Sequence, residues 1–347
     1  MNRKDFLSAV APLATVATAF TNAKKAEGTD ALNKIPPYLK KGDLIGITCP
    51  SGHISLEEVQ PAVYKMLEWG FQVRIGNTVG ARDFTFAGTD EERRKDLQQM
   101  MDDPLIKAIM LGRGGYGAVR IIDKIDFIKY AKKPKWIIGF SDATVFHCHI
   151  NHNYGIATIH SKMCNSFPDD FSKAEQTQLD SIDSIRQCLV GEKMKYAAPF
   201  NINNRSGVAS GTLIGGNLSI IYNLCGSISD VHTAGKILFI EDVGEYLYKI
   251  DGMLWNLKRS GKFKNLKGLI VGGFKIKPDD PGEEFGRTVY ELVLEKVKEY
   301  DYPVCFDFPV GHIKENYALK CGVIHELRVK ENGTTLAPTL LHKWGDE

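Results

Sequence analysis

Apolar runs of four to six residues alternate with stretches of helical spacing through the first half of the chain. Residues 44–49, 108–111 and 135–140 are such runs, and each reads as a buried strand, while residues 71–75 read as the second strand in chain order. Between the first two, residues 55–69 carry Val59, Val63, Met66 and Leu67 at the spacing of one helical face, with Ser55 and Glu58 as a capping box. Thr89 opens another helix, with Asp90, Glu91 and Glu92 in its first turn, where the helix dipole favours acids. Repeated strand–helix units predict a parallel sheet with helices on its faces. Past Thr158-Ile159-His160 the pattern changes. Residues 166–207 are polar, with one helical segment at 174–189. From 208 onward, strands and glycine dominate: 211–218, 236–240, 268–274 and 304–308, then 326–329 and 335–336 as antiparallel strands. The expected fold class is therefore α/β. An N-terminal parallel-sheet α/β domain spans 36–165, a connector 166–207, and a C-terminal strand-rich α/β domain 208–347.

The first 23 residues break this pattern. Arg3 and Lys4 precede a run of apolar and small residues from Leu7 to Phe20, with Ala17-Thr18-Ala19 or a site near Ala23 as the cleavage point. This is the layout of a signal peptide. Arg3-Lys4-Asp5-Phe6-Leu7 also resembles a twin-arginine signal with Lys in the second position. The run is short for a membrane span, so no stable membrane anchor is expected after cleavage. Residues 24–35 read as a linker that ends at Pro36-Pro37.

Composition changes the picture little. Apolar residues at 43% and charged residues at 25% are ordinary globular values, and 347 residues suffice for a large core. A formal charge of +2 argues against a nucleic-acid partner held by a basic field. The seven cysteines are scattered, odd in number and without a CxxC pair, so they read as buried thiols rather than a disulfide framework or a zinc site.

Two strand ends carry candidate chemistry, because functional groups of α/β folds gather at the C-terminal ends of parallel strands. After residues 108–111 comes Gly112-Arg113-Gly114-Gly115-Tyr116-Gly117. Gly112, Gly114 and Gly117 match G-x-G-x-x-G, with Asp142 at the end of the next strand, which on spacing alone is a dinucleotide fingerprint. The other reading is a tight turn or an anion-binding backbone. After residues 135–138 comes Gly139-Phe140-Ser141-Asp142 and then a helix, the context of a nucleophile elbow without its second glycine. Ser141 could equally be a helix cap. His147, His149 and His152 lack the i, i+4 spacing of a helical zinc site; His147 and His149 point about 160° apart. His312 lies beside Gly311 after an apolar strand, and Glu241 ends another. Ser141, Glu241 and His312 fall in a recognised triad order: nucleophile, orienting acid, general base.

These motifs extend along the chain. Gly42-Asp43-Leu44-Ile45-Gly46-Ile47 with Pro50-Ser51-Gly52, Phe86-Ala87-Gly88-Thr89, Arg113-Gly114-Gly115-Tyr116-Gly117, Gly139-Phe140-Ser141-Asp142, Gly211-Thr212-Leu213 with Gly215-Gly216-Asn217-Leu218, Glu241-Asp242 and Gly311-His312 occur in order. With them the chain resembles the LD-carboxypeptidases, serine peptidases of family S66, which include the microcin C immunity peptidases. The resemblance covers essentially everything after residue 36. It implies Ser141 as nucleophile, Glu241 as acid and His312 as base. It implies an oxyanion hole from the backbone N–H groups of Gly115 and Asp142, with Gly114 as the alternative to Gly115. Asp142 enters this reading for its amide rather than its carboxylate. The implied reaction releases terminal D-alanine from a murein tetrapeptide, without metal or cofactor. Arg113 or the loop amides, Gly114 among them, would take the substrate carboxylate. A microcin-type amidase acting on peptidyl or aminoacyl nucleotides is the alternative on the same fold, and an NAD-dependent oxidoreductase a remote one. A homodimer is a further implication. Many relatives work in the cytoplasm; the export signal departs from that and points to the periplasm or secretion, with the cytoplasm as the alternative. In the triad reading the site requires residues from both halves of the chain, in the cleft between the two domains.

Overall fold

The computed structural model describes residues 34–339. The signal-peptide expectation therefore falls outside the described residues. The predicted strand–helix repeat forms β1 (Leu44–Thr48), α1 (Leu56–Glu68), β2 (Gln72–Ile75), α2 (Asp90–Asp102) and β3 (Ile106–Leu111). It continues with α3 (Ala118–Ile121), α4 (Ile128–Lys132), β4 (Trp136–Gly139), α5 (Thr144–Tyr154) and β5 (Thr158–His160). The foreseen capping box is present at Ser55 with Glu58, and a second one, at Thr89 with Glu92, opens α2. One position departs from expectation. Leu67 is exposed whereas Val59, Val63 and Met66 are buried. It lies about 80° around α1 from Val59, at the edge of the stripe.

The second half supplies α6 (Gln176–Val190), β6 (Tyr196–Ala198), β7 (Gly207–Asn217), α7 (Leu218–Leu224), β8 (Ile237–Val243) and α8 (Leu247–Arg259). It ends with β9 (Gly268–Lys275), α9 (Val289–Val297), β10 (Val304–Cys305), β11 (Leu319–Cys321), β12 (Ile324–Lys330) and β13 (Gly333–Pro338). Two sheets result. The first runs β11-β5-β4-β3-β1-β2 and the second β10-β9-β8-β7-β12-β13-β6. β1 to β5 are mutually parallel, as are β7 to β10. The tail strands β12 and β13 pair antiparallel, as their alternation predicted.

Central strands are buried on both faces, which explains their continuous apolar character. In β3, Ile109 and Leu111 enter one core cluster while Ala108 and Met110 enter the other. In β8, Leu238 and Ile240 join the first cluster, Ile237 and Phe239 the second. Each cluster thus draws on both sheets, and the described residues form one compact unit.

A buried cation ties the rim of the first sheet together. Arg93, on α2, is fully buried. Its guanidinium donates to the carbonyls of Gly117 at 3.1 Å and Gly88 at 3.2 Å, to that of Pro50, and to Asp90. It therefore joins the loops that follow β1 and β3. A Cβ at Gly117 (φ +145) would lie 2.6 Å from Arg93 Nη1, so glycine is required there. Arg93→Met, which leaves these acceptors buried without a donor, is expected to lower the unfolding free energy by about 3 kcal/mol. Urea denaturation measures it; a loss below about 1 kcal/mol would assign the network no structural weight.

Candidate active site

Strand β4 delivers Ser141. The strand ends at Gly139, and residues Ser141–Ala143 form a single 3-10 turn leading into α5. Ser141 has φ +61, one of four non-glycine residues with positive φ among those described. A left-handed serine costs about 1–2 kcal/mol. This is the sharp strand-to-helix turn expected of an elbow, and Ser141 does not act as a side-chain cap. Beneath the turn, buried His147 accepts from or donates to Thr158 Oγ1 at 2.9 Å through Nδ1, and meets the Gly139 carbonyl at 2.8 Å through Nε2. A carbonyl only accepts, so Nε2 carries the proton and Nδ1 accepts.

Strand β3 delivers the glycine loop beside it. A Cβ on Gly114 would lie 3.1 Å from Ser141 Cβ and 3.3 Å from its Oγ, so only glycine lets the two turns meet. Gly115 has φ +101 and is exposed. The Gly114 carbonyl accepts from Gly52 N at 2.9 Å, which fixes the loop against Pro50-Ser51-Gly52. Arg113 is exposed, with Nη1 donating to the His53 carbonyl at 3.3 Å.

Besides the amide that the resemblance singles out, the Asp142 carboxylate has a structural task of its own. The carboxylate is buried and accepts from Ser51 Oγ at 2.5 Å and from Ala118 N at 2.8 Å. Burial raises its pKa, while Ser51, Ala118 and Arg93 oppose the rise. Asp142 therefore clamps the loop after β1 and the start of α3 to the elbow. It is not directed outward, as a ribose-binding acid after a dinucleotide fingerprint would be.

The second sheet delivers Glu241 and His312. β8 and β9 shift register between Ile240 and Asp242, where β9 holds an extra residue around Gly272-Gly273. Bulges re-aim side chains, and this one lies beside Glu241. A Cβ on Gly272 would lie 2.5 Å from the Val310 carbonyl; one on Gly311 (φ +108) would lie 2.5 Å from Glu241 Cβ. These glycines let the 310–312 segment lie against both strands. His312 Nδ1 then sits 2.5 Å from Glu241 Oε2. Glu241 is fully buried. Desolvation pushes its carboxyl up, and the His312 hydrogen bond pulls it down. Asp242, its neighbour, faces elsewhere: it accepts from Asn217 Nδ2, Ser219 N and Ser219 Oγ at the start of α7.

The two halves of the site meet through α5. Asn217 N donates to Thr144 Oγ1 at 3.0 Å, and a Cβ on Gly216 would lie 2.4 Å from that oxygen. The Phe140 ring lies 4.8 Å from the His312 ring. The structure thus brings Ser141, Gly114, Gly115 and Asp142 together, and separately Glu241 with His312, with Phe140 between the groups. No hydrogen bond joins Ser141 to His312 among the described residues; such contacts commonly tighten only with substrate bound. An imidazole oriented by a buried carboxylate, together with a strained serine, is suited to acyl transfer.

The clamp residues Ser51 and Arg93, the histidine support at His147 and the Gly272-Gly273 bulge were not assigned from sequence. Ser51 and the two glycines stood inside recognised runs, but nothing in their spacing reports a partner far along the chain. A cleft of about 820 Å³ lies elsewhere, at the N-terminal ends of β3 and β4, among Tyr38, Met101, Ile106 and several lysines. Strand polarity, not volume, marks the chemical end.

Comparison with known proteins fits this geometry. The model of the LD-carboxypeptidase N-terminal domain matches residues 45–161, and that of the C-terminal domain residues 210–327. The chain belongs to the LD-carboxypeptidase family of serine peptidases, S66, and is an enzyme of that class. It is 31% identical over 316 residues to the probable murein peptide carboxypeptidase of Bacillus subtilis (strain 168), spanning 85% of this chain and 92% of that one. It is 28% identical over 284 residues to the murein tetrapeptide carboxypeptidase of Pseudomonas aeruginosa, spanning 80% and 91%. Among solved structures, muramoyltetrapeptide carboxypeptidase from Oxalobacter formigenes superposes with a TM-score of 0.74 at 26% identity, covering 85% and 98%. MccF in complex with glutamyl sulfamoyl guanosine shares the fold, with a TM-score of 0.77 at 22% identity, covering 89% and 99%.

Two outcomes are expected. Asp142→Ala keeps the amide but removes the clamp, and should lower kcat more than about tenfold through misplacement of the loop; an unchanged kcat would confine Asp142 to its N–H. Burial holds the His147 pKa down at about 4, and that of His325 likewise, against an ordinary value of 6.5. Folded-state pKa values depressed in this way make stability complete above about pH 6.5 and lost as pH falls toward 4. Urea midpoints measured across that window should fall, and His147→Gln should remove part of the slope. A flat profile would mean that these rings are not buried neutral.

Proposed function

We propose that this enzyme hydrolyses the L,D-peptide bond that releases terminal D-alanine from murein tetrapeptides. The supporting observation is the left-handed Ser141 at the end of β4, facing a half of the site in which buried Glu241 holds His312 Nδ1 at 2.5 Å. Nδ1 donates to the carboxylate, so Nε2 is the nitrogen left to accept a proton. Ser141 Oγ attacks the carbonyl carbon and its proton passes to His312. The tetrahedral oxyanion is held by the amides of Gly115 and Asp142. His312 returns the proton to the amine of departing D-alanine. Water, deprotonated by the same imidazole, then attacks the acyl-enzyme and frees Ser141 and the tripeptide. Glu241 fixes the ring tautomer and stabilises the imidazolium; its burial strengthens that interaction.

The choice of substrate rests on relatives named for murein peptides and spanning most of the chain. The charged and apolar pattern of residues 3–20 supports action outside the inner membrane, on wall murein rather than recycled fragments. Incubated with disaccharide-tetrapeptide, the protein should release D-alanine with EDTA present. Ser141→Ala should reduce the rate by at least about 10³-fold while retaining the fold. Full activity in that variant, or its disappearance with EDTA, would refute the serine mechanism.

A further inference from the structure

Lys162 is a cation that the chemistry above does not use. It follows β5, on the segment that runs beside the elbow. Gly139 pairs with His160, and Ser161 N donates to the Gly139 carbonyl at 3.1 Å. Met163, two residues further on, is itself extended (φ −110, ψ 178). Met163 Cε would lie 3.2 Å from a Cβ on Gly114, the same point that Ser141 Oγ approaches at 3.3 Å. Residues 161–163 therefore lie about one strand spacing, roughly 4.8 Å, from residues 139–141.

Extended backbone alternates its side chains. Met163 takes the face of the glycine loop. Lys162 takes the opposite face, the one His160 occupies two residues earlier. That face belongs to the His312 half of the site. The His160 ring lies 5.9 Å from the Phe140 ring, which itself lies 4.8 Å from His312. Glu315, three residues beyond His312, interacts with the Lys162 charge.

The lysine is nine-tenths buried, at 9% relative exposure. Among the described residues its ammonium has neither a hydrogen bond nor a carboxylate within 4.0 Å, and Glu315 acts on it only from farther away. Other buried lysines of this chain are satisfied. Lys135 donates to the carbonyls of Met100 and Asp103, Lys262 to that of Val231, and Lys296 to Asp251. The Lys162 stem is packed while its ammonium keeps contact with solvent, so the charge is open to an anionic group of a ligand.

We propose that Lys162 binds the carboxylate of the departing D-amino acid. This rests on the carboxypeptidase reading and deepens it. In a C-terminal residue one carbon carries both the amine that His312 protonates and the free carboxylate. A cation on the His312 side of the elbow is placed for that carboxylate. Exposed Arg113, on the glycine-loop side, is not. Lys162 thereby restricts cleavage to chain ends, because an internal peptide or a C-terminal amide offers it no charge.

The test uses the full chain, the free tetrapeptide and its C-terminal amide, with Lys162→Met, Lys162→Arg and Arg113→Ala. The wild type should prefer the acid. Lys162→Met should raise KM for the acid about 10- to 100-fold, in the range of a hydrogen bond to a charged group, leave the amide unchanged and alter kcat little. Lys162→Arg should restore part of the preference, and Arg113→Ala should keep it. The thermal midpoint of Lys162→Met should be equal to or above that of wild type, since the ammonium has no protein partner to lose and the apolar stem is kept. Preference for the acid retained in Lys162→Met, equal losses on both peptides, or a lowered midpoint would overturn the role of Lys162 alone. A wild type that releases neither D-alanine from the acid nor D-alaninamide from the amide would overturn the carboxypeptidase reading and this inference with it.

Discussion

The buried hydrogen bond between Glu241 and His312 is the interaction on which the rest of the site depends. Glu241 alone, fully buried, would favour its neutral form, because desolvation penalises the carboxylate. His312 supplies the donor that opposes this. The fold must then bring a loop carrying a bulky ring against a strand carrying a carboxylate. It does so by omitting side chains at Gly272 and Gly311, where a Cβ would collide with Val310 and Glu241. α6 steadies the segment beyond. Ser181 Oγ accepts from Asn316 N and Ser184 Oγ from Ala318 N, while Asn316 Oδ1 accepts from Gly311 N. The helix within the polar 166–207 stretch thus has a positional task, and it buries Ile182, Ile185, Cys188 and Leu189 in doing so.

On the opposite side of the elbow, charge performs the task that glycine performs around His312. Asp142 and Arg93 are both buried and lie on different elements, and between them they contact Pro50, Ser51, Gly117 and Ala118. Three loops at the C-terminal rim of the first sheet are joined by side chains rather than by sheet pairing. Such a rim holds shape without becoming rigid everywhere: Gly115 stays exposed within it. Preorganised amides facing solvent at a fixed place are what a developing oxyanion requires.

Much of the first sheet was legible, because hydrophobic period and capping residues are local signals. β1, α1, α2 and β3 follow from spacing within a dozen residues, and Ser55, Glu58, Thr89 and Glu92 mark helix starts by their own chemistry. The strained turn at Ser141 was legible as a glycine–serine motif at a strand end. Whether Ser141 capped a helix or stood in an elbow was not, since both begin with serine and only φ separates them. Pairing across long separations was hidden. Nothing near Asp142 announces Ser51, and nothing near Glu241 announces the bulge in β9. Arg93 drew no reading from the sequence, yet it is buried because three loops turn their carbonyls toward it.

One further strand bears on how the molecule is assembled. β11 belongs by sequence to the second half, yet it closes the edge of the first sheet, with Leu319 opposite His160 and Cys321 opposite Thr158. The sheet that presents Ser141 therefore lacks its last member until nearly the whole chain has been synthesised. The same late segment carries His312. Contacts of such separation are slow to form, because loop closure precedes any gain from pairing. A chain that stops short of this segment has both an open sheet edge and no His312. On the proposed mechanism, in which His312 is the base, a bond-cutting enzyme built in this order would stay inert until that segment is in place.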